Sequence, residues 1–256
     1  MPKFDDLQFH IKCRHGDTGE YCILPGDPGR CEKIAAYFDE PKHLVSNREY
    51  NIYTGKLSGV PVSVCSTGIG GPSAAIAVEE LFNCGTKTFI RVGTCGGIAE
   101  KVHSGDSIIA SGAIRFDGTS REYAPIEFPA VPDFEVLTAL SDAAKAIGAP
   151  HHVGVVQCKD SFYGQHNPSR MPTESLLTDR WEAWKRLGVL ASEMESATIF
   201  TVCSVLGARA GAVFHTIWNQ ERIKAGLDPE DAESHDTDKA IRIAVEAIKL
   251  LIAREK

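Results

Sequence analysis

Val60-Pro61-Val62-Ser63-Val64-Cys65-Ser66 runs straight into Thr67-Gly68-Ile69-Gly70-Gly71-Pro72, and residues 74–82 continue with helical spacing. A short apolar run rich in β-branched residues, a glycine-rich turn and a helix whose first turn suits a proline make one strand–turn–helix unit. The unit recurs along the chain. Residues 21–24 read as a strand that stops at Pro25-Gly26-Asp27-Pro28, ahead of a helical segment with Ile34, Ala35 and Phe38 on one face. Residues 88–92 form another strand, ending in the glycine-rich turn Gly93-Thr94-Cys95-Gly96-Gly97. Further strands are expected at 107–114, 153–158 and 210–217, and helices at 134–147, 196–206 and 238–253. In the last, Ala240, Ile243, Ala244, Ala247, Ile248 and Leu251 make one apolar stripe. This alternation predicts an α/β fold with helices around a mostly parallel or mixed sheet. No repeat or Pro/Ser-rich linker divides the chain, so residues 1–256 read as a single domain. Residues 164–178 are polar and irregular and read as a long loop, which in a compact domain is more often functional than idle.

Composition narrows the function. With 256 residues, 43% hydrophobic and 24% charged, the chain is neither disordered nor fibrous. Its net charge of −7 argues against nucleic-acid binding by bulk charge, but leaves room for a small anion held by a few placed arginines. The stretch from Met1 to Asp6 lacks the apolar region of a signal peptide, and no apolar run approaches membrane-helix length. The eight cysteines form no CxxC pair, and several, such as Cys65 and Cys203, sit inside apolar runs. They read as reduced core thiols of a cytoplasmic protein, without a disulfide framework or metal-ligand spacing.

Several segments carry chemistry. Gly26 and Arg30 lie between a strand and a helix, where backbone N–H groups and a guanidinium fork can receive phosphate, although a plain turn fits equally well. Arg91 stands inside an apolar strand, where it needs an anionic partner, either a ligand or a core carboxylate. Thr94 follows at the strand end, where ligands of open α/β sheets bind. The turn 66–73 matches neither a P-loop nor GxGxxG. Glu193-Met194-Glu195 precedes a helix, and its carboxylates either accept sugar hydroxyls or belong to the helix cap. Lys159-Asp160-Ser161-Phe162-Tyr163-Gly164-Gln165-His166 offers an aromatic ring for stacking and an amide that both donates and accepts, as a nucleobase edge requires, or else is an ordinary loop.

Together these segments resemble the nucleoside phosphorylases of the uridine phosphorylase type, within the wider purine nucleoside phosphorylase/uridine phosphorylase superfamily. The resemblance rests on PGDPxR at 25–30, SxREY at 46–50, CSTGIGGPS at 65–73, RVGTCGG at 91–97 and SEMESA at 192–197, and covers nearly the whole chain. It implies a twisted mixed sheet closing partly into a barrel, flanked by helices. It also implies a hexamer built as a trimer of dimers, with sites shared across the dimer. The implied reaction is reversible phosphorolysis of a nucleoside, with inorganic phosphate as co-substrate and no organic cofactor. Gly26, Arg30, Arg91 and Thr94 match the family's phosphate site, and Arg48 an arginine reaching it from the neighbouring subunit. His10 matches a neighbour's histidine that contacts the sugar. Thr94, Met194 and Glu195 match ribose contacts, with Glu193 beside them. Phe162 and Gln165 match base contacts. In some members Glu49, Ile69 and Ser73 line a monovalent-cation site, such as one for K+, at the dimer interface.

Two departures stand out. No arginine follows Gln165 at the family's spacing, and Gln220 stands where a second base-site arginine is expected. Lys159 and His166 are the expected replacements, with Arg170 a weaker one. In related purine enzymes an Asp after the late strand protonates the base; Asn219 stands there and cannot. The resemblance therefore favours uridine, and 2′-deoxyuridine, over purine nucleosides, and the three arginines favour phosphate over water as acceptor. A purine nucleoside phosphorylase, with Asp160 as donor, is the nearest alternative. A non-catalytic nucleoside-binding or storage protein is the alternative of a different class.

Overall fold

Strand β1 (Tyr21–Pro25) lies in the middle of the sheet, and its side chains explain why it reads as an unbroken apolar run. Tyr21 and Ile23 point into one core layer, Cys22 and Leu24 into the other, so both faces of the strand are covered. A computed structural model describes residues 6–255; Met1 to Asp5, part of the stretch read as lacking a signal peptide, lie outside the described residues. After β1 come α1 (Arg30–Ala35), β2 (Asp39–Asn47), β3 (Tyr50–Leu57), β4 (Val60–Cys65), α2 (Gly71–Asn83), β5 (Thr88–Gly97) and β6 (Ser107–Phe116). Then follow α3 (Thr119–Tyr123), α4 (Phe134–Ala146), β7 (His151–Lys159), α5 (Phe162–His166), a 3-10 turn at Pro168–Arg170 and α6 (Glu174–Arg186). The chain ends with β8 (Ala191–Glu193), α7 (Ser196–Leu206), β9 (Arg209–Asn219), α8 (Gln220–Lys224) and α9 (Asp238–Arg254).

The nine strands form one mixed sheet in the order β2-β3-β4-β1-β5-β8-β7-β6-β9. A further pairing, β5 with β9, closes β5, β8, β7, β6 and β9 into a five-stranded barrel. This is the expected fold class: a mixed sheet closing partly into a barrel, flanked by helices. Helices α2 and α7 pack in one core layer, and α1, α4 and α9 in the other. The stripe predicted on α9 is buried throughout. All eight cysteines are buried free thiols. Among the described residues no helix is long and apolar enough to cross a membrane.

Two expectations need correction. Gly93 to Gly97 is not a turn: β5 continues through it, paired on one side with β9 and, at Gly96 and Gly97, with β8. Its glycines serve packing, since a Cβ on Gly93 would lie 2.8 Å from the Phe214 ring, and one on Gly97 2.7 Å from Asn219 Nδ2. Residues 164–178 are not an irregular loop but hold most of α5, the 3-10 turn and the start of α6. Helix α6 fully buries no residue, and its apolar positions at helical spacing, Leu177, Trp181 and Trp184, fall mostly beyond residue 178. Strand β2 was likewise hidden, because it is an exposed, charged edge strand with no buried residue.

Candidate active site

The carboxyl ends of six strands converge on one cavity of about 690 Å³. Gly26 follows β1, Gly68 and Ile69 follow β4, and Arg91, Thr94, Cys95 and Gly96 lie along β5. Lys159 is the last residue of β7, Ser192 and Glu193 end β8, and Ile217 and Trp218 lie near the end of β9. Arg30, Phe162, His166, Met194 and Glu195 complete the part of the lining that matters chemically.

One end is cationic. Arg91 is 4% exposed, and its Nη2 donates to Glu195 Oε2 at 2.5 Å. Its Nη1 donates to the Leu24 carbonyl at 3.2 Å, while its buried Nε has no hydrogen-bond partner. Burial, and then the charge of Arg91, pull the Arg30 pKa down. Two guanidiniums thus share a partly dry site, an arrangement that a bound anion relieves. Gly26 leaves the space open: a Cβ there would sit 3.4 Å from both terminal nitrogens of Arg91 and 3.1 Å from the Gly68 carbonyl. Of the two sequence alternatives for Arg91, the structure supplies the core carboxylate, Glu195, which is itself a lining residue.

The two acidic residues before α7 differ. Glu195 accepts from Arg91 and, through Oε1, from the Gly70 N–H at 2.7 Å. Glu193 is spent on the helix start: its carboxylate accepts the N–H groups of Glu195 and Ser196 and the Ser196 hydroxyl. Glu193 reaches the cavity, but its carboxylate is bonded to the backbone at the start of α7 rather than left as a free acceptor.

The other end is aromatic and basic. The Phe162 and His166 rings lie 4.3 Å apart between centroids, and His166 lies 5.7 Å from Trp218. His166 Nδ1 is 3.3 Å from Gln220 Oε1, so Nδ1 carries the proton and Nε2 is left as an acceptor. Burial and the charge of Lys159 push the His166 pKa down, which keeps the ring neutral at neutral pH. Lys159, 4% exposed, is the cation at this end. Its Nζ donates to Ser192 Oγ at 2.6 Å. Gln165 does not border the first cavity; it borders an adjoining one of about 550 Å³ that shares Lys159 and His166, and its Oε1 accepts from Ser192 at 2.7 Å. Arg170 borders neither. Asn219 is committed elsewhere. Its Nδ2 donates to the Ala99 and Val102 carbonyls, and its Oδ1 accepts from the N–H groups of Glu221 and Arg222.

His10 and Arg48 also lie outside this cavity. Asn47 Nδ2 donates to the His10 carbonyl at 2.6 Å, which ties the β2–β3 turn bearing Arg48 to the segment bearing His10. His10 Nδ1 is 2.7 Å from Glu80 Oε1. Arg48 has a φ of 55°, a left-handed conformation at the turn. Glu49 and Ser73 flank Gly68, whose Cβ would lie 3.0 Å from Glu49 Cγ and 3.5 Å from Ser73 Oγ, and Ser73 Oγ donates to the Ile69 carbonyl at 3.4 Å. The sequence reading assigned no role to Ser192, Cys95, Ile217 or Trp218. Ser192 and Cys95 lie inside quoted motifs, but only the folded barrel turns them to the cavity.

A family model described as the phosphorylase superfamily matches residues 20–253. The chain belongs to the phosphorylase superfamily. Among its curated relatives, a uridine phosphorylase from Treponema pallidum (strain Nichols) is 56% identical over 98% of this chain and 96% of its own length. A uridine phosphorylase from Escherichia coli (strain K12) is 46% identical, covering 95% of this chain and 98% of its own length. A guanosine phosphorylase from Halorubrum lacusprofundi is 38% identical, covering 95% and 99%.

Proposed function

We propose that this phosphorylase cleaves uridine, and 2′-deoxyuridine, with inorganic phosphate, giving uracil and the pentose 1-phosphate, and runs the reverse reaction. The observation that carries the reading is the division of the cavity. Two arginines lie together, one of them bonded to Glu195, a buried lysine stands beside His166, and Thr94 lines the same cavity. Phosphate lies against Arg30, Arg91 and Thr94, beneath C1′ of the sugar. Glu195 and the backbone around Met194 receive the ribose. As the C1′–N1 bond stretches, its electron pair moves onto uracil and spreads to the ring carbonyls. C1′ becomes oxocarbenium-like, and a phosphate oxygen closes the new C1′–O bond. Lys159 stabilises the departing uracilate, Phe162 covers the ring, and neutral His166 accepts a base N–H.

Supports for uridine are the high identity to uridine phosphorylases and the commitment of Asn219 to four backbone hydrogen bonds. The guanosine phosphorylase relative favours a purine nucleoside as the second reading. Base release from uridine and from inosine, each with and without phosphate, separates the two. Uracil appearing only with phosphate is expected; hypoxanthine instead moves the assignment to purines, and release without phosphate removes the role given to the arginines. Asn219→Asp is expected to gain no inosine cleavage. It sets a buried carboxylate against two carbonyl oxygens and is expected to cost about 2–4 kcal/mol by denaturant unfolding. Gly26→Ala, whose Cβ enters the anion space, is expected to raise the phosphate KM about tenfold while changing the uridine KM little, as steady-state kinetics would report.

The same reading assigns His10 and Arg48 to the neighbouring protomer's site in a dimer, within a hexamer of three dimers. Glu49, Ile69 and Ser73 then form a K+ site at that interface, and the enzyme works in the cytoplasm without an organic cofactor. Size-exclusion chromatography with light scattering, in K+ and in its absence, tests the assembly.

A further inference from the structure

We infer that Ser192 is a positioning residue for the base end: its hydroxyl anchors the Lys159 ammonium on one side and ties it to Gln165 on the other. The inference rests on the proposed reading of the cavity. Ser192 is the middle residue of β8, paired with Gly96 of β5 and with Gln157 of β7. Pairing on both sides fixes where its side chain points. Oγ lies 2.6 Å from Lys159 Nζ and 2.7 Å from Gln165 Oε1, and it also contacts Gln157 Oε1. Ser192 itself is 3% exposed and Gln157 1%.

The valence of a hydroxyl orders this cluster. An ammonium only donates, so Oγ accepts from Lys159. Oγ then has one proton to give and one lone pair left. One amide accepts the proton through its carbonyl, and the other can fill the lone pair with its N–H. A Ser192 proton on Gln165 Oε1 leaves the Gln165 NH2 as a donor and lets Gln157 turn its own NH2 toward Oγ. The cluster stands on the boundary between the two cavities: Ser192 borders the first, Gln157 and Gln165 the second, and Lys159 both. Ser192 therefore holds the head of the catalytic cation at the wall that the base meets.

Lys159 needs that support. Burial lowers its pKa; Glu193 of β8 and Glu195 just beyond it oppose the drop, as do Cys158 of β7 and Cys95 of β5. His166 of α5 also faces it, as a neutral ring. The Glu193 carboxylate is already bonded to the start of α7 and Glu195 to Arg91, so the hydroxyl is the acceptor that the ammonium has in hand.

The experiment compares wild type with Ser192→Ala in uridine phosphorolysis across pH. The expected result is a kcat lower by about 10- to 100-fold, from the loss of one hydrogen bond to a charged group. The phosphate KM stays unchanged. The alkaline limb of the kcat–pH profile moves to lower pH, because the ammonium has lost an acceptor and gives up its proton sooner. Ser192→Thr, which keeps the hydroxyl, is expected to restore the limb. Lys159→Ala/Ser192→Ala is expected to be no slower than Lys159→Ala alone, since the hydroxyl acts through the lysine. An unmoved limb with intact kcat, or losses that multiply in the double variant, overturns the inference. NMR titration of lysine labelled at Cε gives a readout independent of substrate: the Lys159 resonance is expected to titrate at lower pH in Ser192→Ala. If wild type releases no uracil, the functional reading fails, and the NMR titration still decides the role of Ser192. If Ser192→Ala does not fold, Ser192→Cys, a weaker acceptor, is expected to show the same shift in the same direction.

Discussion

Lys159→Ala lowers the turnover of uridine by about 100- to 1000-fold, the usual cost of removing a group aimed at developing charge in a closed site. The phosphate KM changes little, because Arg30 and Arg91 lie at the opposite end of the cavity. The reason is electrostatic. Uracil leaves as an anion, and Lys159 is the buried cation bordering both cavities at that end, while His166 stays neutral under its charge. Steady-state kinetics on a 5-substituted uridine with a more acidic base supply the control: the variant should lose less with the better leaving group. Equal losses on both substrates would place Lys159 outside the bond-breaking step. The wild-type enzyme should also lose kcat as pH rises through the pKa of Lys159, at a lower pH than an exposed lysine would set, since burial pulls that pKa down.

Arg91→Leu is expected to damage activity and fold together. Its guanidinium is 4% exposed and bonded to Glu195, itself 3% exposed, at 2.5 Å. Removing one partner of such a pair leaves the other charge buried, at a cost of about 3–5 kcal/mol. Phosphorolysis should fall by at least about 1000-fold, because the anion loses a fork of donors and Glu195 loses its orientation. Arg91→Leu/Glu195→Gln is expected to recover much of the stability, since a neutral amide needs no counter-charge, and none of the activity. Denaturant unfolding read beside kinetics separates the two effects. A stable but inactive Arg91→Leu would mean that Glu195 is not held as a charge.

The cluster of Gly26, Arg30 and Arg91 was legible in the sequence because its signals are local. An arginine inside an apolar strand must have an anionic partner, and glycines at strand ends leave room for one. The base end was legible in residue type but not in arrangement. Lys159 and His166 could be named, yet His166 is kept neutral by burial and by Lys159, and which of its nitrogens carries the proton depends on Gln220, 54 residues away. Gln165 reaches the site only through Ser192, on a three-residue strand too short to show a pattern. Glu193 and Glu195 looked alike on paper. The backbone at the start of α7 separates them by taking up both oxygens of one and leaving the other to Arg91 and Gly70. Strand β2 escaped notice because it buries too little for periodicity to record which way it faces.

The shared grip on Glu195 makes the two substrates thermodynamic partners. Arg91 donates to Glu195 and to the Leu24 carbonyl, and both of its terminal nitrogens lie beside the open space at Gly26. Phosphate arriving there draws charge from Arg91, and the Glu195 carboxylate gains free acceptor capacity at the moment a sugar hydroxyl can use it. On the proposed reading, nucleoside affinity is therefore expected to be higher in the presence of phosphate. By reciprocity the nucleoside tightens phosphate by the same factor, a heterotropic coupling set by a single ion pair rather than by any movement of the chain.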